Sequence, residues 1–251
     1  MNDPIPVPPP FPTLPPSPSL PSNPSAPTEP PTPIHGLPDL IEALLRQPER
    51  ISQACRQAGY ARVLGGLLLM ILVGALVYGL VVGTFSGKAQ LWVAPLKVSL
   101  GLFLSALICL PSLYIFGCLS GATARLREIT ALVSGLLALV TVLLLGFAPI
   151  AWVFSQSTES IIAVGVVHLG FWLIATMFGL RFLSAGFHRL NGRSSGVLRV
   201  WMVLYLIVGL QMSTALRPLI GTADTFLPQK KKFFLTHWMD CLDEKESGAH
   251  R

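Results

Sequence analysis

The chain changes character three times along its length. Up to residue 38 it reads as Pro, Ser and Thr with few large apolar groups; Asp39 to Arg46 then alternates apolar and charged positions at helical spacing. Beyond residue 60 come long apolar runs at 63–84, 96–119, 129–154, 160–180 and 197–216, each close to the ~20 residues a helix needs to cross a hydrocarbon core. Helices are required there, because in lipid an apolar run has to satisfy its own backbone hydrogen bonds. These Leu-, Val-, Gly- and Ala-rich runs also lack the two-residue alternation of a barrel strand. The expected fold is therefore all-α: a polytopic transmembrane helical bundle of about five spans over 58–219. A disordered Pro-rich tail (1–38), an amphipathic interfacial helix (39–57) and a short polar, basic C-terminal tail (220–251) complete it.

Sixteen of the 22 prolines precede Asp39. That composition favours extended polyproline II and buries too little surface to offset the entropy of ordering. Pro12-Thr13-Leu14-Pro15 and Pro18-Ser19-Leu20-Pro21 satisfy PxxP, without the flanking Arg or Lys that would orient them in a groove. After the tail, Pro38 precedes a helix that Asp39 can cap, and Leu40, Ile41, Leu44 and Leu45 form an apolar stripe suited to a membrane surface or to the bundle's loops. Pro95 and Pro111 make the second run the one open to a kink or a re-entrant path. Phe234, Trp238 and Leu242 recur at i, i+4, i+8 and suggest a second interfacial helix.

Composition agrees with a membrane body: 52% of the 251 residues are hydrophobic and only 12% charged, too apolar for an ordinary water-soluble domain. The net charge of +6 comes from Arg and Lys scattered between apolar runs, with no aromatic-interleaved basic face, so nucleic acid is not an expected partner. Cys55, Cys109, Cys118 and Cys241 show no CxxC spacing, and Cys109 and Cys118 on one helix would lie about 13 Å apart in rise. Neither a disulfide framework nor a metal site is expected.

The basic residues also orient the chain. Arg46, Arg50, Arg56 and Arg62 precede the first span, Arg125 and Arg127 follow the second, and Arg181, Arg189, Arg193 and Arg199 surround the fourth loop. The other side carries Lys88, with Lys97 at the edge of span two, so the positive-inside rule places the N-terminus in the cytoplasm and, with five spans, the C-terminus outside. Arg217 and Lys230-Lys231-Lys232 then fall outside, against the rule, but after the last span, where their weight is least.

A charge inside hydrocarbon is costly and is kept for work, so proton or cation coupling requires an intramembrane acid. None of the five runs contains Asp or Glu; Glu128 and Glu159 sit at span ends. This argues against a proton-coupled pump and an aspartyl intramembrane protease. A Ser134–His168 dyad would serve a rhomboid-like protease, but Leu132-Val133-Ser134-Gly135 lacks the Gly two residues before the serine. No catalytic residue and no cofactor are expected, and the chain reads as non-enzymatic.

The remaining polar candidates for lipid or solute contacts are His168, Gln211 and Arg217, with Ser105 and Ser134 as hydroxyls within spans. Interhelical hydrogen bonding is the plainer role for His168 and Gln211, and snorkelling to the interface for Arg217. For close helix packing the candidates are Gly79 with Gly83, and Gly117 with Gly121, two GxxxG pairs that would join helices within one chain or between copies in a homo-oligomer. Trp92, Trp152, Trp201 and Tyr205 lie towards span ends, as interface anchors do.

A Pro-rich cytoplasmic tail, an amphipathic lead-in, five spans and a very short tail outside resemble the Yip family of Rab-associated membrane proteins and their bacterial relatives. The resemblance is architectural and covers roughly residues 40–220. Leu110-Pro111-Ser112-Leu113-Tyr114 and the segment from Gln211 to Pro218 are similar to segments of uncharacterised bacterial members, while the Asp-Leu-Tyr-Gly-Pro signature of the eukaryotic proteins is absent. The resemblance implies the bacterial cytoplasmic (inner) membrane and no catalytic residue. Two functions fit: a scaffold or organiser of a membrane complex, contacting a protein partner through the tail and amphipathic helix, or a small transporter or channel subunit for an anionic or neutral solute.

Overall fold

The computed structural model describes residues 36–46, 50, 51, 54, 59–86, 90–119, 121, 125–158, 160–190 and 195–215. The Pro-rich tail, Arg217 and the C-terminal tail with its expected interfacial helix lie outside them. The described residues form helices and turns with no strand: α1 (Leu37–Arg46), α2 (Tyr60–Ser86), α3 (Gln90–Leu119), α4 (Leu126–Ser157), α5 (Ile161–Arg189) and α6 (Ser195–Ala215). Five of these, α2 to α6, are long and apolar enough to span a bilayer. The chain is an integral membrane protein.

The five helices match the five apolar runs, most of them longer at one or both ends. The largest difference is at α5, which continues past Phe178 and Leu180 to Arg189, so that Arg181 lies within the helix. The second span is one unbroken helix: α3 contains both Pro95 and Pro111, and α4 contains Pro149. A ring nitrogen forfeits one backbone hydrogen bond but does not end a helix where neighbouring groups compensate. The carbonyls freed are those of Leu91 and Leu107, one turn before each proline; nearby, the Ser99 hydroxyl donates to the Pro95 carbonyl and the Ser112 hydroxyl to the Cys109 carbonyl, both at 2.8 Å.

Helix ends carry recognisable terminators. At the start of α4, the Arg125 backbone N–H donates to the Glu128 carboxylate at 3.1 Å, while Ser160 Oγ accepts from the Ala163 N–H at the start of α5. Gly121, just past α3, has φ 73° and donates its N–H to the Cys118 carbonyl. That is the left-handed helix stop a glycine adopts without Cβ strain. Nothing lies within 4 Å of where its Cβ would be, so Gly121 ends a helix, whereas Gly117 lies against Phe187 and Ile129.

The helices assemble around α4. Every residue from Ala131 to Thr141 is buried, so this stretch has neighbours on all sides. Of the apolar window of α4, 72% is buried, against 17% for α6, which separates hub from periphery. α2 and α5 both pack on α4, α3 packs on α2 and also touches α4, and α6 packs on α3. The close approaches run through glycines: a Cβ at Gly74 would stand 3.1 Å from Thr141, one at Gly179 2.9 Å from Val140, and one at Gly135 2.6 Å from Phe182. Small residues let helix axes approach where lipid supplies no hydrophobic driving force between them.

α1 divides its apolar residues between two faces. Leu40, Ala43 and Leu44 are buried against α2 and α4, Leu40 over Gly66, whereas Leu37, Ile41 and Leu45 form an exposed i, i+4, i+8 stripe. A single stripe of Leu40, Ile41, Leu44 and Leu45 is therefore split, because the helix is held by the bundle on one side and left open on the adjacent one. Arg46 and Glu42 pair at 3.8 Å on its polar surface. Arg62, Arg125, Arg127, Arg189 and Arg199 gather at the same end of the bundle, with Arg127 over the Tyr60 ring; we call this the basic end.

Candidate functional site: two buried polar seams

The buried polar groups of the spans fall into two seams between helices. The first joins α2 to α5 in the half away from the basic end. Tyr78 Oη lies 2.8 Å from His168 Nδ1, with the rings edge to face, and both side chains are buried. When the phenol donates to Nδ1, the imidazole carries its own proton on Nε2. His168 Nε2 is buried and has no hydrogen-bond partner among the described residues. The pair locks α2 to α5 and leaves one ring nitrogen unused.

The second seam joins α3 to α6. Trp201, 1% exposed, donates its indole N–H to the Cys109 carbonyl at 3.1 Å and to the Ser112 hydroxyl at 3.0 Å. One turn further, Tyr205 stacks on Trp201 and contacts the Ser105 hydroxyl. An indole or phenol buried in lipid-facing protein keeps its polar atom bonded, since an unmade bond there costs more than in water. Trp201 and Tyr205 are thus interhelical ties and not the interface anchors their position near a span end suggests. Trp92 and Trp152, both exposed at the end away from the basic one, do sit where anchors sit.

Continuing this antiparallel register brings Gln211 and Ser213 of α6 level with Lys97 and Ser99 of α3. Lys97 is only 1% exposed, seven residues into its helix, and so is an intramembrane cation rather than a residue at the span's edge. Its signal is legible in retrospect: Lys97, Gly101, Ser105 and Cys109 recur every four residues along α3, a small and polar stripe within an apolar helix. Gln211 is half-buried on α6. Tyr78 has no local signal, because its partner is 90 residues away.

Other candidates are kept apart. Ser134 is buried in the α4 hub. The α4–α5 register, fixed by the Gly186 contact with Leu132 and the stacking of Phe147 on Phe171, sets Ser134 level with about Ser184. His168 is then about 16 residues, or about 24 Å, further along α5, so the two form no dyad. Gly79 meets Pro95 of α3 at backbone contact, and Gly83 is buried one turn on. Cys109 and Cys118 are free thiols, one buried and one exposed. Among the described residues no group of three or more His, Cys, Asp and Glu side chains is placed to hold a metal.

No protein family matches the chain, and no curated protein or solved structure does either. What it shares with known proteins is therefore carried by its architecture, that of an integral membrane protein with five span-length helices.

Proposed function

We propose that this chain is a non-enzymatic organiser of a membrane complex, with the five-helix body as anchor and the Pro-rich tail and α1 as its cytoplasmic contact with a protein partner. The observation that carries the reading is the buried stretch Ala131–Thr141 of α4. A carrier working by alternating access sets its site at mid-membrane, between bodies that separate. Here the hub helix is enclosed from Ala131 to Thr141, the half nearer the basic end, so the helices on either side of it share one buried helix there, and the seams beside it tie helices together. The seating of α1 supports the same reading, because Leu40, Ala43 and Leu44 fix the root of the tail to the bundle. The Yip-like layout points the same way, with the N-terminus in the cytoplasm of a bacterium and the body in its inner membrane.

Buried Lys97 and the unused nitrogen of His168 favour a second reading, a small transporter or channel subunit for an anionic or neutral solute. Purified full-length protein in liposomes separates the two. The organiser reading expects no flux of chloride, phosphate or glycerol above empty vesicles. It also expects a set of co-purifying partners that is lost on deleting residues 1–35, which leaves α1 in place. Flux that disappears in Lys97→Ala, or partners unchanged by the deletion, contradicts it.

A further inference from the structure

We infer that the last two turns of α5 form a binding site for the headgroup of an anionic phospholipid, with the Arg181 guanidinium on the phosphate. Arg181, Ala185 and His188 are exposed and Ser184 is half-buried beside them, so one strip of the helix carries a guanidinium, a hydroxyl and an imidazole around a small residue. Above the strip the exposed residues are apolar, Phe178 at 49% and Met177 at 58%, which is the surface acyl chains would cover.

The depth of the strip follows from contacts elsewhere. Gly74 faces Thr141 and Tyr60 lies under Arg127, which fixes α2 against α4; Leu132 meets Gly186, which fixes α4 against α5. Through this register Gly66, the seat of Leu40 in α1, is level with about Ala185. α1 carries the exposed apolar stripe beside a charged pair that marks a helix at the boundary between headgroups and acyl chains. The centre of the strip is therefore at headgroup depth, with Arg181 about 6 Å deeper, one turn of helix, within the reach of a snorkelling side chain. No carboxylate among the described residues pairs with Arg181. A guanidinium at that depth takes a phosphate bidentately, and its own charge favours a lipid of net negative charge over a zwitterionic one.

The test is thermal unfolding of the detergent-solubilised full-length protein titrated with phosphatidylglycerol, phosphatidylcholine or inorganic phosphate. Phosphatidylglycerol is expected to raise the melting temperature at lower concentration than phosphatidylcholine, and inorganic phosphate to have no effect. In Arg181→Gln the half-saturating phosphatidylglycerol concentration should rise about fivefold, the loss of one cation near an anionic surface. Arg181→Lys should fall between, and Arg62→Gln, also exposed at the basic end, should match the wild type. Equal losses in Arg181→Gln and Arg62→Gln would overturn the site in favour of diffuse attraction. No loss in Arg181→Gln, or stabilisation by inorganic phosphate as large as by the lipid, would also overturn it.

Discussion

Gly79→Leu is expected to abolish the folded protein, and Gly79→Ala to lower its melting temperature by several degrees. A Cβ at this position would run into the Pro95 Cα, with the Pro95 nitrogen at 3.0 Å and its Cβ at 3.2 Å. The obstacle is backbone, so no rotamer change relieves it. Pro95 itself is buried, its ring holds φ, and its carbonyl is held by Ser99, so α3 cannot yield locally. The two helices must move apart, and Tyr78, one residue away, is carried with α2 against its bond to His168. Overpacking of this kind costs about 1–3 kcal/mol for one methyl and more for a branched side chain. At about 2–4 °C per kcal/mol for a chain of this size, Gly79→Ala should melt about 2–12 °C below the wild type in the same detergent. Gly146 and Gly170 provide the control, since nothing lies within 4 Å of where their Cβ atoms would be. Alanine there should leave the melting curve unchanged, and a Gly79→Ala protein that melts with those controls would show that α2 and α3 do not meet where described.

The second large effect belongs to Trp201, among the largest fully buried side chains of the bundle. Trp201→Ala removes the ring stacked on Tyr205, opens a cavity between α3 and α6 and leaves Tyr205 half-supported. Truncations of buried Trp cost about 3–5 kcal/mol. Trp201→Phe separates the two contributions: it keeps most of the apolar volume but loses the donor to the Cys109 carbonyl and Ser112. Hydrogen bonds between membrane helices are worth about 0.6 kcal/mol each, with a maximum near 1.7, so this variant should lose only about 1 kcal/mol. Urea or sodium dodecyl sulfate titration followed by circular dichroism measures both. Equal, small losses in the two variants would place Trp201 at the lipid interface and not in the seam.

Five span-length helices were legible from the sequence because the signal is additive: ~20 residues without an acid can be summed along the chain with no knowledge of neighbours. The continuity of α3 was less so, since whether Pro95 and Pro111 end a helix depends on what packs around them, α2 at Gly79 against Pro95 among it. The split of the α1 stripe was hidden for a similar reason. Periodicity places Leu40 and Ile41 on one broad face, and only the seat at Gly66 decides which of them is covered. Polar side chains within spans were visible as candidates, His168 and Gln211 among them, but their partners were not. A hydrogen bond across 90 residues leaves no trace in local spacing, and an indole at a span end reads as an interface anchor until its N–H is seen donating to a buried carbonyl. Lys97 was misplaced by a boundary: α3 begins at Gln90, six residues before the apolar run that delimits the span in the sequence.

The central claim, five crossings of a bilayer, is tested most directly by topology reporters on the full-length chain in living cells. A reporter active only in the cytoplasm and one active only outside it would be fused in turn before Asn2 and after Arg251. Five crossings require the two ends to report opposite compartments, the N-terminal one cytoplasmic. Both ends reporting the same compartment would mean an even number of crossings and would contradict the account.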